Sequence, residues 1–308
     1  MGWRLTRSVE ELAGAAWPLL AAAPAEHTMS LTVIENARGR PLQSGPDELY
    51  GWWTDERGAV TGAATLTPPH ELLLGVVPDA AMRPLADALI SAGRHPPGVN
   101  GAAGPAAQFA AVWTSLTGER AVLRFAQRLY QLGAPVPMAT RPAGRPRLAE
   151  ASDRNLLVDW FEAFQEEVGV TAAEPATQVE DRLSFGGLLL WVDDDGTPVA
   201  VAGRSRPAAG VARIGPVFTP TERRRHGFGS AVTAALSDMT RRDTAPTVLL
   251  FTDLANPTSN AIYQRLGYQP VSDRTVLGFE PRPDCGFHSG TSCESRACSG
   301  TNSTDRAR

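Results

Sequence analysis

Hydrophobic and polar positions follow helical and strand-like spacings through most of the chain. In the first half they predict helices over residues 8–22, 79–91 and 105–116, and strands over 29–34, 49–54, 59–66, 71–77 and 121–132. The polar run 55–58 predicts a hairpin turn, because Gly58 can adopt the positive φ that such turns need. The first half therefore mixes helices and strands.

The first helix could be confused with a secretory signal peptide, since arginines precede its apolar stretch and an A-x-A pattern follows it. Glu10 and Glu11 do not fit the charge pattern of a signal peptide. Ser8 and Glu11 instead form a capping-box pattern, in which the Ser8 hydroxyl accepts a backbone N–H bond at the start of a helix. We therefore favour a helix over a signal peptide.

The second half repeats the plan of the first. The patterns predict helices over 152–168 and 175–183, strands over 187–192, 198–203 and 211–218, a helix over 229–239, a strand over 247–252, a helix over 259–266 and a last pair of strands within 268–279. Asp193-Asp194-Asp195-Gly196 predicts a hairpin turn. Both halves contain a hairpin, a third strand and a helix, which indicates a tandem duplication.

Proline and glycine enrichment predicts the domain boundaries. Residues 135–146 contain four prolines, which interrupt helices and sheets, so we predict a linker between a domain over 1–134 and another over 147–280. Residues 281–308 have few large apolar side chains, and we expect this tail to be disordered.

Composition narrows the classes of function. The net charge of −4 argues against nucleic acid as a partner, because proteins that bind it are usually basic. The longest apolar stretch, 12–25, contains Pro18 and is shorter than the ~20 residues of a membrane-spanning helix. We therefore predict a cytoplasmic protein that does not associate with membranes.

All three cysteines lie in the tail, so the body of the chain offers no thiol nucleophile. The pattern Cys285-x2-His288-x4-Cys293-x4-Cys298 contains zinc-type ligands but mostly lacks the aromatic and basic residues of a zinc knuckle. We predict no metal site.

The segment 217–230 carries the clearest chemical signal. It passes from a strand through the arginines 223–225 into a turn with Gly227 and Gly229, and then into a helix. Free N–H groups at a helix amino terminus bind anions, and glycine lets a phosphate approach the backbone. The spacing fits neither the P-loop nor the dinucleotide fingerprint. On this segment alone, a tight turn with solvated arginines is as good an interpretation.

Two motifs together resemble a known family. Arg224-x-x-Gly227-x-Gly229 is similar to the acyl-CoA pyrophosphate loop of the GCN5-related N-acetyltransferases (GNATs). The segment 250–268, with Asn256 in its loop and Tyr263 in the ending Y-x-x-x-G-Y, is similar to the family's next strand, loop and helix. The resemblance covers about 147–279. It implies an α/β (α+β) fold of tandem GNAT-like domains, each a mixed, mostly antiparallel sheet flanked by helices.

The resemblance also implies roles for individual residues. Tyr263 would be the general acid that protonates the departing CoA thiolate. A backbone N–H at Phe218 or a neighbour would polarise the thioester carbonyl. The residues implied to bind acetyl-CoA are Val217, Phe218, Thr219, Arg224, Arg225, His226, Gly227, Phe228, Gly229, Ser230, Asn256 and Asn260.

Structural roles are open for several of these residues. Tyr263 lies on the same helical stripe as Ile262 and Leu266, which is equally typical of a core aromatic residue. Asn256 before Pro257 is typical of a helix cap. The general base has no assignment; the ionisable residues near the motifs are Glu222, His226 and Asp253.

The sequence thus predicts an enzyme, an acyl-CoA-dependent N-acetyltransferase that transfers acetyl directly from acetyl-CoA to a small-molecule or peptide amine. The alternative is a non-catalytic acyl-CoA sensor or interaction module. The acceptor, the acyl chain length and the oligomeric state are not decided by the residues.

The first half lacks the glycine loop, and Asp79 at the corresponding place would repel a phosphate. We therefore expect this half to be a degenerate GNAT-like domain that is structural or forms a wall of the acceptor pocket. Trp52, Trp53 and Trp113 would then line a pocket or belong to the core.

Overall fold

The computed structural model describes residues 1–39, 47–134, 136–169 and 174–282. Its strands are β1 (Gly2–Thr6), β2 (Leu49–Thr54), β3 (Val60–Leu66), β4 (Leu72–Leu74), β5 (Gly98–Ala102), β6 (Arg120–Leu132), β7 (Arg145–Leu148), β8 (Leu188–Val192), β9 (Pro198–Arg204), β10 (Val211–Phe218), β11 (Thr247–Asp253) and β12 (Tyr268–Glu280). Its helices are α1 (Val9–Ala21), α2 (Thr28–Gly39), α3 (Asp79–Ser91), α4 (Ala103–Thr117), α5 (Arg154–Val168), α6 (Pro175–Ser184), α7 (Phe228–Asp243) and α8 (Pro257–Arg265).

All twelve strands form one sheet, in the order β1-β2-β3-β4-β5-β12-β6-β11-β10-β9-β8-β7. Only the pairs β4/β5 and β10/β11 are parallel among the described strands. The two halves have the same succession of elements: β1 to β6 with α1 to α4 correspond to β7 to β12 with α5 to α8. This repetition supports the tandem duplication, and the predicted fold class is confirmed.

The two halves exchange their last strands. β12 lies between β5 and β6, and β6 lies between β12 and β11, so each half is completed by a strand from the other. β6 and β12 also pair with each other along nearly their whole length, from Tyr268↔Leu132 to Glu280↔Arg120. The predicted division into domains at 134 and 147 stays a prediction, because one sheet runs through both halves.

Helices pack on both faces of the sheet in the second half. On one face, α7 buries Val232 and Leu236 in a cluster with Leu250 and Tyr268. On the other face, α5 buries Leu157 and Phe161 against β8 and the end of β10. In the first half, α4 buries Trp113 and Phe109, which stack beside Phe279 of β12. A helix of the first half thus packs against β12, the strand that the second half contributes to this part of the sheet.

Several predicted elements are confirmed, including the caps and turns. The Ser8 hydroxyl accepts from Glu11 N–H at the start of α1. Gly58 and Gly196 occupy the hairpin turns with φ of 81° each, and α5 ends at Val168, as predicted. Local chemistry at these positions was sufficient to predict them.

Other predictions are wrong. Residues 29–34 lie in helix α2, where Leu31 and Ile34 are fully buried on one face; so short an apolar run fits both patterns. Residues 268–279 form one bulged strand rather than a pair. The strands β1, β5 and β7 were not predicted. β5 contains Gly98, where a Cβ would lie 2.3 Å from Leu277 O, so its glycine permits close strand packing rather than a turn.

The tail prediction and the Cys/His pattern lie outside the described residues, except for Pro281 and Arg282. Within the described ranges, no group of three or more His, Cys, Asp or Glu side chains could hold a metal ion. The same ranges contain no helix that is both long and apolar enough to cross a membrane.

Candidate functional site

The strands β10 and β11 separate before they end. Their parallel ladder runs from Val211↔Thr247 to Ile214↔Leu250 and then stops, although both strands continue. On its other side, β10 stays paired with β9 as far as Phe218, with a bulge between Ile214 and Val217. The bulge bends β10 away from β11 and leaves a gap between two strand edges that carry free backbone groups.

The loop after β10 leads directly into the start of α7. A 3-10 turn, Thr221–Arg223, is followed by Arg225 with φ of 65° and Gly227 with φ of 84°. The first intrahelical bond of α7 runs from Ala231 N–H to Gly227 O, at 2.9 Å. Among the described residues, no side chain caps this helix. Its first N–H groups and the positive end of its dipole therefore favour an anion here.

The glycines of the loop keep this place open. A Cβ at Gly229 would lie 3.1 Å from Thr219 Oγ1, which is closer than ordinary contact, and Gly227 has a backbone conformation that disfavours any side chain. Phe228 and Ser230 begin α7 on either side of Gly229, and both are half-buried. The residues present therefore fit a phosphate group held by backbone N–H groups.

The arginines of the loop have different partners. Arg224 donates to Thr219 O (2.9 Å) and pairs with Glu167 of α5, so it fastens the loop to that helix. Arg223 lies 4.0 Å from Asp193. Arg225 is exposed and makes no ion pair with the described residues, which leaves it available to an anion. His226 is also exposed and stacks on Phe228, with ring centroids 5.8 Å apart.

Both predicted asparagines on the α8 side are engaged in structural hydrogen bonds. Asn256 caps α8, accepting from Ser259 N–H at 3.0 Å. Asn260 Nδ2 donates to Asp253 O (2.8 Å) and Asn256 O (2.7 Å), and its Oδ1 accepts from Tyr130 of β6 (2.9 Å). The cap interpretation of Asn256 is confirmed, and a contact of either asparagine with CoA stays a prediction.

Tyr263 and Val217 lie on the same face of the sheet. Both are half-buried and pack against the cluster that contains Leu266 and Tyr268, and the rings of Tyr263 and Tyr268 meet edge to face at 6.0 Å. Burial raises the pKa of the Tyr263 phenol to about 12, so the phenol keeps its proton at neutral pH. The phenol therefore has a proton to donate, although a pKa this high makes it a weak acid.

A cavity of about 270 Å³ lies on the opposite face, beneath the gap. It is bounded by α5, α6, the bulged part of β10, and Phe251 of β11. The sequence did not reveal its polar residues, which include Arg182 and Arg213. Trp52, Trp53 and Trp113 do not line it; all three are buried in cores of the first half.

A second cavity lies at the other end of β10. It measures about 380 Å³ and is lined by Glu222, Arg223, His226 and Phe228 of the loop. The two cavities thus lie at the uncapped start of α7 and beneath the separated strands.

Comparisons with known proteins agree with this geometry. Residues 194–276 match a family described as FR47-like protein, and this range includes the loop, the separated strands and α8. No curated protein matches the chain.

Solved structures share the fold over nearly the whole chain. A GCN5-related N-acetyltransferase from Sphaerobacter thermophilus is 18% identical, with a TM-score of 0.61, 91% of this chain covered and 96% of that one. An acetyltransferase of the GNAT family from Colwellia psychrerythraea is 11% identical, with a TM-score of 0.57 and coverage of 91% and 99%.

A tandem GNAT protein from the clavulanic acid biosynthesis pathway is 16% identical, with a TM-score of 0.54 and coverage of 92% and 99%. The resemblance read from the motifs is thus confirmed: the chain has the tandem GNAT fold, and its second half carries an FR47-like, GNAT-type region.

Proposed function

We propose that the protein is an N-acetyltransferase that uses acetyl-CoA and acts at the gap between β10 and β11. The observation that carries this proposal is the end of the β10/β11 ladder at Ile214 and Leu250, on the strand whose following loop leads to the uncapped start of α7. An extended chain with a phosphate at one end matches that arrangement. Acetyl-CoA supplies the activated acyl group, and the protein supplies orientation and proton transfer.

The backbone of β10 would hold the extended pantetheine arm. Successive residues of a strand direct their N–H and C=O groups to opposite edges, so one of Val217 and Phe218 faces the gap. Its N–H would stabilise the charge that develops on the carbonyl oxygen. The amides from Arg225 to Ser230, with the charge of Arg225, would bind the pyrophosphate.

The reaction also needs a proton donor for the departing sulfur and an acceptor amine that has lost its proton. Tyr263 would donate its phenolic proton to the departing sulfur as the C–S bond breaks, since with a pKa of about 12 the phenol is protonated at neutral pH. The acceptor must reach the gap as a neutral amine. Among the described residues that line the cavity beneath the gap, there is no histidine or carboxylate, but there are two arginines. Positive charge nearby lowers the pKa of a bound amine and favours its neutral form.

The lack of a base in the described part of the cavity wall favours a second function, a non-catalytic sensor of acyl-CoA. A sensor would retain the loop, the gap and the uncapped helix terminus, but would release no CoA thiol. Turnover separates the two proposals, because both predict binding.

Thermal unfolding with acetyl-CoA, CoA and NAD tests the shared part. A ligand at ~100 times its Kd stabilises the protein by about 2.7 kcal/mol, which shifts the Tm of a chain of this size by a few degrees. We expect shifts with acetyl-CoA and CoA and none with NAD. No shift with acetyl-CoA would overturn both functions. CoA thiol release with a panel of amines would then identify an enzyme.

A further inference from the structure

The cavity beneath the gap is mostly apolar but contains a charged end. Phe161 and Phe164 of α5, Pro216 of β10 and Phe251 of β11 supply its apolar walls. Arg213, on the part of β10 that is still paired with β11, supplies a guanidinium. A volume of about 270 Å³ suits a small molecule.

In the described part of the chain, only neutral groups hold the guanidinium of Arg213 in place. Its Nη1 donates to Thr28 O (2.8 Å) and to Thr32 Oγ1 (2.9 Å), both on α2 of the first half. Within the described ranges, no carboxylate forms an ion pair with Arg213. Two other partly buried arginines have acidic partners, since Arg147 binds Asp153 and Arg128 binds Asp273. Arg204 and Arg274 resemble Arg213, because the described residues offer them only neutral acceptors, but neither lines the cavity. The charge of Arg213 is therefore fixed in position without a counterion.

Neighbouring charges make the site still more positive. Burial, and then the positive charges of Arg182 and Arg274, lowers the pKa of Arg213 to about 10, so it remains a cation at neutral pH. Arg182 also lines the cavity, where its guanidinium lies over the ring of Phe161 at 5.6 Å. A buried cation that lacks a counterion is costly, and such groups concentrate at binding sites for the opposite charge.

We infer that the acceptor is a small amine that also carries a carboxylate, and that Arg213 binds this carboxylate inside the cavity. Guanidinium and carboxylate groups form paired, charge-assisted hydrogen bonds, which would also orient the acceptor. This inference rests on the proposed function, since it names the class of molecule that the same site acetylates.

The position of Arg213 along β10 fits this arrangement. It precedes Val217 by four residues, which is about 13 Å in a fully extended strand and less across the bulge. Gly215 and Pro216 line the cavity between them. A molecule whose carboxylate is held at Arg213 would thus extend its amine toward the acyl group, with its apolar part against the phenylalanine rings.

Binding of two matched probes tests the inference without turnover. The probes are 3-phenylpropionate and its neutral analogue 3-phenylpropionamide, measured by calorimetry on the full chain. We expect the carboxylate to bind at least about tenfold more tightly, as for a hydrogen-bonded charge pair. In Arg213→Gln, this preference should fall to within about twofold. Equal affinities of the two probes for the unmodified protein, or no binding of the carboxylate, would overturn the inference.

Arg204→Gln is the matched control. Arg204 is as buried as the core residues, and its partners among the described residues are likewise neutral, but it does not line the cavity. We expect this variant to keep the preference for the carboxylate. If both variants lost the preference, it would come from the overall positive charge of the protein, and the role of Arg213 would be overturned.

Stabilisation by acetyl-CoA is measured in parallel, so that the two proposals fail separately. A shift with acetyl-CoA but no carboxylate preference would leave the proposed function standing and reject the inference. An unchanged acetyl-CoA shift in Arg213→Gln would show that this variant is folded. Should it not fold, Arg213→Lys keeps the charge, and it must retain part of the preference for the inference to stand.

Discussion

The phenol of Tyr130 donates a hydrogen bond to Asn260 Oδ1, at 2.9 Å, although the two residues lie 130 positions apart. Tyr130 is on β6 of the first half, and Asn260 is on α8 of the second. Asn260 in turn binds the carbonyls of Asp253 and Asn256, at the end of β11 and the cap of α8. The exchanged strand therefore supports the loop that precedes the proposed acid, Tyr263.

Tyr130→Phe should reveal this support. The variant loses the bond to Asn260 and the 3.2 Å bond from Gln264, so we expect a loss of about 1–2 kcal/mol in the free energy of unfolding. Amide hydrogen exchange in α8 should become faster. Tyr50→Phe is the control, because Tyr50 is equally buried but binds Glu48 within the first half. Unchanged exchange in α8 would contradict the role of Tyr130.

Much of the loop could be predicted from sequence, and the cavity could not. Arg224, Gly227 and Gly229 lie within six consecutive residues, so their spacing alone indicates a strand, a turn and a helix terminus. Arg213 and Thr28 meet across 185 positions. A local sequence pattern cannot predict a contact between residues so far apart in the chain. The segment after Thr28, residues 29–34, was in addition predicted as a strand, whereas it lies in helix α2.

The strand exchange was hidden for a related reason. The pattern within β6 and β12 predicts that they are strands but does not specify their neighbours, because alternation reports which faces are buried and not which edges pair. The short strands β1, β5 and β7 have too few residues for a clear period.

Substitution of Gly227 or Gly229 should weaken acetyl-CoA binding. Gly196 provides a control whose substitution should lower stability by a similar amount. Gly227 and Gly196 have φ of 84° and 81°, so alanine at either place should cost about 1–2 kcal/mol. We expect Gly227→Ala and Gly229→Val to lower acetyl-CoA affinity at least about tenfold in calorimetry, because side chains would obstruct the backbone N–H groups. Gly196→Ala should bind normally; weakened binding there would mean that the effect is general destabilisation.

A buried histidine directly before α2 predicts a pH dependence of stability. His27 is 8% exposed, and its pKa is lowered by burial, with Glu26 raising it and Arg274 lowering it further. The unfolded chain therefore binds a proton more readily than the folded one. The stabilisation due to neutral His27 should be complete above pH 6.5 and should decline as the pH falls below that value.

His27→Gln isolates that contribution. Free energies of unfolding from urea titrations should fall more steeply between pH 7 and pH 5 in the unmodified protein than in the variant. Parallel pH profiles of the two proteins would show that His27 is not the group responsible.

Tyr263→Phe tests the chemical step, provided that the acceptor screen finds turnover. Removal of a general acid should lower kcat about a hundredfold while the affinity for acetyl-CoA stays unchanged, because the phenol acts only as sulfur departs. With a pKa of about 12, Tyr263 should remain protonated through pH 10, so its ionisation should cause no fall in rate below that pH.

The neighbour Tyr268 provides the matched control for Tyr263. Its phenol meets Ser237 Oγ at 2.6 Å in the core, so Tyr268→Phe should cost about 1 kcal/mol of stability and leave kcat within a few-fold. Equal losses of rate in the two variants would indicate that both phenols act through packing. A loss confined to Tyr263→Phe, with Kd unchanged, would distinguish the enzyme from the sensor, since a sensor has no rate to lose.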